Sequence, residues 1–128
     1  MNDKCILIVE DDQSLIKLYQ LFLKKEGYTL FIAKNGKEAI KRYMNLSDRV
    51  ELIIMDYQMP IMNGIEAMRR ILSRNPEEKI IVSSSDSSIK ELVIKLGAKN
   101  FLPKPFNFGE LVKLIKEIGE EREQPNHS

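Results

Sequence analysis

The stretch ILIVEDD, residues 6–12, combines the two features that decide how this chain folds. Four consecutive aliphatic side chains are followed at once by three acids. An unbroken apolar run is typical of a strand that is buried on both faces, as in a parallel sheet. The acids then lie where the strand ends. This combination predicts a buried sheet with polar groups along one edge.

Similar apolar runs recur along the chain and alternate with segments of helical period. The five runs span residues 6–9, 30–33, 52–55, 80–82 and 101–102. The first helical segment carries Leu15, Leu18 and Phe22 and stops near Gly27, and the others span 36–46, 65–73, 89–96 and 108–118. Five successive strand–helix units predict a doubly wound α/β sandwich.

Composition narrows the class of protein. A chain of 128 residues suits one domain, and 20 basic against 19 acidic residues give no overall field for holding nucleic acid or an anionic membrane. The single cysteine, Cys5, lies in an apolar run and excludes a disulfide framework. No apolar stretch approaches the roughly 20 residues of a membrane span, and the first residues lack a signal-peptide pattern. We expect a soluble cytoplasmic protein.

Polar groups follow four of the five apolar runs. They are the acids of residues 10–12, Asp56, the serines of residues 83–85, and Lys104. Taken singly, each has a plain explanation as a helix cap, turn former or solvated charge. Together they matter, because an open α/β sheet places its ligand crevice beyond the carboxyl ends of its strands.

The chemistry of these groups favours a hard cation and a phosphate. Neighbouring carboxylates repel by roughly 4 kcal/mol at 4 Å unless protons or a cation intervene. An all-oxygen set selects Mg²⁺ or Mn²⁺ over zinc or copper. The sequence has no GxGxxG, GxxxxGK[ST] or GxSxG motif and no Cys/His pair, so it gives no support to dinucleotide binding, P-loop hydrolysis, serine-hydrolase or zinc chemistry.

Four stretches closely resemble the receiver domains of two-component signalling. They are ILIVEDD at 6–12, IIMDYQMPIMNG at 53–64, IIVSS at 80–84 and KPF at 104–106. The resemblance extends from residue 6 to about residue 118. It implies a flavodoxin-like fold, with a five-stranded parallel sheet of order 2-1-3-4-5 and helices on both faces. It also implies a receiver domain over residues 1–120, with residues 121–128 as a polar tail or the start of a linker.

The resemblance assigns an acceptor and a metal site. Asp56 corresponds to the phospho-acceptor, a carboxylate nucleophile. The acidic pair of the family falls on Glu10 and Asp11, and Asp12 is an extra acid that lies further out or caps a helix. Mg²⁺ (or Mn²⁺) is then held by the acids, by Asp56 and by the backbone carbonyl of Gln58.

The resemblance also implies the groups that contact the phosphoryl oxygens. Ser84 corresponds to the switch hydroxyl, with Ser83 as the alternative, and Lys104 to the lysine whose ammonium contacts the phosphate. Pro105 resembles the cis proline of the family. Phe101 is either a rotating aromatic that reports the switch or a plain core residue.

The implied function is a signalling switch rather than an enzyme. A sensor histidine kinase or phosphotransfer protein supplies the phosphoryl group, and the chain has only slow self-dephosphorylation. The added charge shifts the face made by the fourth helix, fifth strand and fifth helix, which contacts a downstream protein or an output domain. We expect no direct contact with nucleic acid or a membrane, and a monomer or a phosphorylation-dependent dimer.

Two other hypotheses deserve comparison. A phosphatase of the haloacid-dehalogenase type also forms an aspartyl phosphate, but it needs a second Asp two residues after the nucleophile, where this chain has Gln58. A degenerate receiver could act as an unphosphorylated docking module, yet the acids, acceptor, hydroxyl and lysine are all present. Whether the chain acts alone or belongs to a longer regulator stays open. His127 is expected to be an exposed tail residue.

Overall fold

The computed structural model describes residues 4–123, which form one five-stranded sheet with helices on both faces. The strands are β1 (Cys5–Val9), β2 (Leu30–Ala33), β3 (Val50–Asp56), β4 (Ile80–Ser84) and β5 (Asn100–Pro103). The α-helices are α1 (Gln13–Lys25), α2 (Gly36–Leu46), α3 (Gly64–Arg74), α4 (Lys90–Leu96) and α5 (Phe108–Glu123). Short 3₁₀ turns at Ser47–Arg49 and Ser87–Ile89 precede β3 and α4.

The sheet order is β2-β1-β3-β4-β5, and every pair of neighbouring strands is parallel. The predicted doubly wound α/β fold and its order 2-1-3-4-5 are therefore confirmed. Val9 pairs with Met55, and Asp56 pairs with Ser83. This register aligns the carboxyl ends of the three central strands.

The core has two halves, one on each face of the sheet. Alternate residues of β1 divide between them: Leu7 and Val9 pack under α2, α3 and α4, whereas Ile6 and Ile8 pack under α1 and α5. All four of these side chains are at most 1% exposed. The unbroken apolar run was thus correctly interpreted as a strand covered on both sides.

Helix α1 lies where the periodicity predicts it, but it buries a different stripe. Its buried residues are Ile16, Tyr19 and Leu23. Leu18 and Phe22 are 42% and 40% exposed. The helix thus carries apolar side chains on its core face and also on a face that meets solvent.

Helix α5 continues further than its apolar pattern predicts. The pattern ends at residue 118, whereas the helix runs to Glu123. The extension beyond Gly119 consists of helix-favouring charged residues, and an ion pair of 3.0 Å joins Glu121 to Lys99. The proposed domain boundary at residue 120 stays a prediction, and residues 124–128 with His127 lie outside the described part of the chain.

Within residues 4–123, no helix combines the length and the apolar composition that crossing a membrane requires.

Two helical glycines should respond in opposite ways to a methyl group. A Cβ at Gly64 would lie 2.3 Å from the backbone oxygen of Asp56, whereas a Cβ at Gly119 would meet nothing within 4 Å. We expect Gly64→Ala to lower the free energy of unfolding by about 1–3 kcal/mol, because α3 must move away from β3. Gly119→Ala should raise it by about 0.5–1 kcal/mol, since alanine favours the helix. Urea unfolding measures both, and equal effects would contradict the close packing of α3 on β3.

Candidate functional site

The carboxyl ends of β1 and β3 bring three acids together. Glu10 and Asp11 follow β1 directly, and Asp56 is the last residue of β3. Because Val9 pairs with Met55, the next residues along the two strands, Glu10 and Asp56, are neighbours. Glu10 is 2% exposed and Asp56 is 6% exposed, whereas Asp11 faces solvent.

The three carboxylates form a compact oxygen cluster. One oxygen from each of Glu10, Asp11 and Asp56 can be chosen so that all three lie within 4.8 Å of one another. Oxygen atoms in this arrangement suit Mg²⁺ or Mn²⁺. The structure thus brings together the side chains that the sequence predicts as metal ligands.

Lys104 lies directly after β5 and reaches across to the acids. Its Nζ atom donates to Asp56 Oδ1 at 2.8 Å and to Glu10 Oε1 at 2.9 Å. Its backbone nitrogen donates to the carbonyl oxygen of Ser84 at 2.9 Å, which fixes the start of the side chain. The bond from Lys104 to Pro105 is a cis peptide, as the resemblance implies.

The pKa values of these groups reflect burial and pairing together. Burial raises the pKa of Glu10 and of Asp56, and the hydrogen bonds from Lys104 only partly offset this effect. Burial by itself would lower the pKa of Lys104, yet its bonds to Asp56 and Glu10 raise that pKa. The ammonium therefore stays charged and neutralises part of the acidic cluster.

The two serines at the end of β4 have different hydrogen-bond partners. Ser83 is fully buried, and its hydroxyl donates to the carbonyl oxygen of Leu102 at 2.9 Å. The Ser84 hydroxyl oxygen accepts a hydrogen bond from the backbone nitrogen of Asp86 at 3.0 Å. Ser83 is thus bound to the neighbouring strand, which favours Ser84 as the hydroxyl available to a ligand.

The loop between β3 and α3 lies beside the acids. An open cleft of about 440 Å³ is lined by Asp11, Tyr57, Gln58, Met59, Pro60 and Asn63. The loop is closed at its base, where the backbone nitrogen of Gly64 donates to the carbonyl oxygen of Tyr57 at 2.9 Å. The Gln58 backbone, whose carbonyl is a predicted metal ligand, therefore belongs to a closed loop that adjoins Asp11.

A left-handed residue shapes the tip of this loop. Ile61 has a φ of 72°, and the backbone nitrogen of Met62 donates to the carbonyl oxygen of Pro60 at 2.7 Å. Such a three-residue turn is strained, and a β-branched residue rarely occupies it. The carbonyl of Met62 also accepts from the backbone nitrogen of Gly36 at 3.1 Å, so the tip is tied to α2. The Ile61 side chain itself is 77% exposed.

The remaining predicted residues have local roles that the structure makes visible. Asp12 caps α1, and its Oδ1 accepts from the backbone nitrogens of Ser14 and Leu15 at 2.9 and 3.3 Å. Phe101 is partly buried against the core half under α2, α3 and α4. Its role as a rotating aromatic stays a prediction.

Sequence reasoning missed an aromatic cluster next to Lys104. Phe108 stacks on Phe22 with ring centroids 4.9 Å apart, and its ring meets Tyr19 edge-on at 5.4 Å. Phe106 lies 5.0 Å from Phe108. The signal was available, because phenylalanines flank Asn107 directly after the KPF motif, but their partners on α1 become evident only in the folded chain.

Phe106 and Phe108 of this cluster border an apolar groove between α1 and the start of α5. The groove has a volume of about 440 Å³ and is lined by Asp12, Ser14, Leu15, Leu18, Ser85, Lys104, Pro105, Phe106 and Phe108. Since Lys104 contacts both this groove and Asp56, the groove opens beside the acidic cluster.

Comparison with known proteins agrees with this geometry. The sequence profile of the response regulator receiver domain matches residues 6–116. The chemotaxis protein CheY of Thermotoga maritima is 35% identical over 118 residues, covering 90% of this chain and 97% of that protein. The transcriptional regulatory protein CpxR of Escherichia coli is 33% identical over 114 residues, covering 88% of this chain and 48% of CpxR.

Solved structures give the same result. The response regulator TrrA of Thermotoga maritima, solved in complex with Mg²⁺–BeF, superposes with a TM-score of 0.82 at 31% identity and covers 90% of this chain and 98% of its own. The chain spans about half the length of the transcriptional regulators that it matches. The match over most of its residues shows that the chain belongs to the response regulator receiver domain family of two-component systems.

Proposed function

We propose that this domain is a phosphorylation-dependent signalling switch in which Asp56 accepts a phosphoryl group with the help of Mg²⁺. The observation that carries the proposal is the bond of 2.8 Å between Lys104 Nζ and Asp56 Oδ1 beside two further carboxylates. A buried carboxylate that is surrounded by acids and approached by an ammonium suits an acceptor whose added charge must be neutralised.

The donor set fits a divalent cation. Three carboxylates against one ammonium leave the site with a formal charge of −2, which one Mg²⁺ would balance. Glu10, Asp11, Asp56 and the backbone carbonyl of Gln58 are the groups proposed to hold the ion. When bound, the metal supplies electrostatic stabilisation to the phosphoryl oxygens during transfer. The Mg²⁺–BeF complex of the related TrrA supports this assignment.

Phosphoryl transfer then needs little from the protein beyond positioning. An Asp56 carboxylate oxygen attacks the phosphorus of a phosphohistidine, an O–P bond forms, and the N–P bond breaks with its electron pair passing to the imidazole nitrogen. Lys104 lies 2.8 Å from the acceptor oxygen and can follow the charge onto the phosphoryl oxygens. The product is an acyl phosphate on Asp56.

The acyl phosphate would act on the fold through Ser84. The Ser84 hydroxyl oxygen accepts from the Asp86 backbone nitrogen, and its own proton can be donated to a phosphoryl oxygen. That bond would bias the segment between β4 and α4, and with it the face made by α4, β5 and α5. Phe101 lies on β5 within this face and can respond only by packing, because it lacks a hydroxyl.

The groove between α1 and α5 supports a protein as the phosphoryl donor. It is lined largely by apolar side chains and opens beside Lys104 and the acceptor. A histidine-bearing helical surface of a kinase or phosphotransfer protein could cover Leu18 and the exposed face of α1 while presenting its phosphate to Asp56. We also propose that the domain works in the cytoplasm, that it contacts a downstream protein or an output domain, and that it is a monomer or a phosphorylation-dependent dimer. Neither nucleic acid nor membrane is assigned as a direct partner.

Rapid turnover as a phosphatase is disfavoured by the residue two positions after the acceptor. An amide at Gln58 cannot exchange the proton that a general acid or base must transfer. The domain is therefore proposed to act as a regulatory acceptor with only slow loss of its phosphate.

The first experiment tests the acceptor. The domain is incubated with Mg²⁺ and acetyl phosphate, and intact masses are compared for the native chain and Asp56→Asn. The native chain should gain one phosphoryl group, the variant none, and a chelator should abolish the gain because the oxygen cluster then lacks its cation. A native chain that gains nothing with donor and metal in excess would overturn the proposal in favour of an unphosphorylated docking module.

The neighbouring serines allow a matched test of the switch. With Mg²⁺ and beryllofluoride, native and Ser83→Ala domains should show similar amide chemical-shift changes in α4, β5 and α5. Ser84→Ala should still bind the analogue but lose about half or more of those changes, since the hydrogen bond to the phosphoryl position is missing. Equal responses from all three proteins would refute the role of Ser84.

The pH dependence of stability follows from the raised pKa of Asp56. A carboxyl with a raised pKa contributes stability below its unfolded pKa of about 3.9, and this contribution is lost as pH rises through the folded value. In chelated buffer, the free energy of unfolding of Asp56→Asn relative to the native domain should therefore increase from about pH 3.5 to pH 7. Urea unfolding across this range checks the sign, and a relative stability that falls with pH would contradict the buried environment of Asp56.

A further inference from the structure

Helices α2 and α3 are much more basic than the chain as a whole. Together they carry six basic and two acidic side chains, a net charge of +4, whereas the whole chain has a net charge of +1. The rest of the molecule is therefore acidic on balance. The nearly neutral composition conceals a local positive surface, and such a surface attracts negatively charged partners.

The two helices lie side by side, and hydrogen bonds join them at both ends. At the start of α2, the backbone nitrogen of Gly36 donates to the carbonyl oxygen of Met62, which lies just before α3. At the other end, the Nδ2 atom of Asn75, which follows α3, donates to the Tyr43 hydroxyl at 3.1 Å. The outer faces of α2 and α3 therefore form one continuous surface.

One side of α2 presents two lysines and a methionine to solvent. Lys37, Lys41 and Met44 follow one another at intervals of four and three positions, which places them on the same side of a helix. All three are exposed, and Met44 is 47% exposed. Within residues 4–123, neither lysine forms an ion pair. This side of α2 thus combines two unpaired ammonium groups with a flexible apolar side chain.

The adjoining side of α3 adds two guanidinium groups. Burial raises the pKa of Tyr43 on α2 to about 12, and the positive charge of Arg74 opposes this rise, so Arg74 lies on the side of α3 that faces α2. Arg70 lies one helical turn earlier and pairs with Glu66 at 2.9 Å, with both side chains exposed. In the described part of the chain, Arg74 has no acidic partner.

We propose that α2 and α3 bind an acidic amphipathic helix of a partner protein through one shared surface. This surface, the α2–α3 face, consists of Lys37, Lys41, Met44, Arg70 and Arg74. Its charges select acidic side chains, and Met44 offers an adaptable contact for an apolar one. The α2–α3 face contains no residue of α1, α4, β5 or α5, so it is distinct from the surfaces that the proposed function uses.

The spacing of the charges suits a helix as the bound element. Lys37 and Lys41 are four positions apart, a rise of about 6 Å along α2. Two glutamates four positions apart on a partner helix have the same rise of about 6 Å, so a helix lying along α2 can pair with both lysines. An apolar side chain one turn further along the partner then reaches Met44. This is the binding mode in which an amphipathic helix lies in a groove between helices.

Two residues favour a protein over a nucleic acid as the partner. Glu66 lies one turn before Arg70 and would repel a phosphate backbone. Met44 is exposed, and a phosphate backbone would gain nothing by covering it. A protein helix can cover Met44 and can also place a basic residue near Glu66.

The test uses a synthetic helical peptide of about 20 residues as the probe. The peptide carries glutamates four positions apart on one side with leucines beside them, and a control peptide has lysines in place of the glutamates. Added to the ¹⁵N-labelled native domain, the acidic peptide should shift amide signals of α2 and α3 with a dissociation constant below about 1 mM, and the control peptide should not. Shifts confined to other helices, or no shifts with the acidic peptide, would overturn the proposal.

A pair of charge reversals locates the binding surface. Lys37→Glu combined with Lys41→Glu should weaken peptide binding at least about tenfold, because two attractions become repulsions. The control is Lys17→Glu combined with Lys113→Glu, which makes the same change in net charge at exposed positions of α1 and α5 and should change the affinity by less than about threefold. Equal losses in the two double variants would mean unspecific attraction and would overturn the proposal. Thermal unfolding verifies that both variants are folded.

Met44 and a nucleic acid probe separate the proposed partner from a polyanion. Met44→Ala should weaken binding of the acidic peptide about threefold or more, and Met44→Leu should retain it, because the contact is apolar. A single-stranded oligothymidylate of the same net charge should bind at least about tenfold more weakly than the peptide. Tighter binding of the oligonucleotide, or no effect of Met44→Ala, would overturn the assignment of a protein helix. These titrations need neither Mg²⁺ nor phosphoryl transfer, so their outcome is independent of the switch proposal.

Discussion

Parallel pairing of the five strands is the constraint on which the rest of this molecule depends. Because all strands run in one direction, their carboxyl ends meet at one edge, and any polar residue placed after a strand joins its neighbours there. The buried runs that make the sheet and the acids that make the site are therefore adjacent in sequence by necessity. The pairs Val9–Met55 and Asp56–Ser83 fix the register of β1, β3 and β4, so that the carboxyl ends of these three strands lie level with one another.

That arrangement places two acids where acids are unfavourable. Glu10 and Asp56 are almost completely covered, and burial raises the pKa of both. Lys104 makes the cluster tolerable by bonding to both carboxylates, though three acids against one lysine leave an excess of negative charge. This excess of negative charge lowers the stability of the folded domain, and a bound divalent cation would reduce the repulsion. The side chains that suit a metal site at this edge of the sheet therefore destabilise the fold.

The sequence predicted the architecture well because its signals are local. Unbroken aliphatic runs, helical periods and a glycine stop each depend on a few neighbouring residues, and within residues 4–123 they located the five strands and the five α-helices but not the two 3₁₀ turns. The buried face of α1 was less accessible: Leu15, Leu18 and Phe22 have the correct spacing, yet Ile16, Tyr19 and Leu23 are the residues that enter the core. When a helix has two apolar faces, its own sequence does not show which face is buried, since the neighbouring elements decide which face they cover.

The candidate site was predictable as a set of residues but not as a set of contacts. Asp56, Lys104 and the acids after β1 follow from strand ends and from the family resemblance. The bond between Lys104 and Glu10 joins residues 94 positions apart, and the choice between Ser83 and Ser84 depends on the hydroxyl of Ser83 turning to Leu102. Such facts arise from three-dimensional packing. The end of α5 was missed for a related reason, because its last turn is polar and is held by an ion pair to Lys99.

The left-handed turn at Ile61 has an evolutionary consequence. Its side chain is mostly exposed and adds little to the core, while its backbone sits in a conformation that isoleucine disfavours. Replacement by glycine or asparagine would relieve that strain without opening a cavity, so substitutions at this position should cause little loss of folding stability. The same turn belongs to the loop that carries the Gln58 carbonyl. Variation at a single surface position thus offers a lineage of such domains a way to adjust the loop beside the acids while Glu10, Asp11, Asp56 and Lys104 remain unchanged.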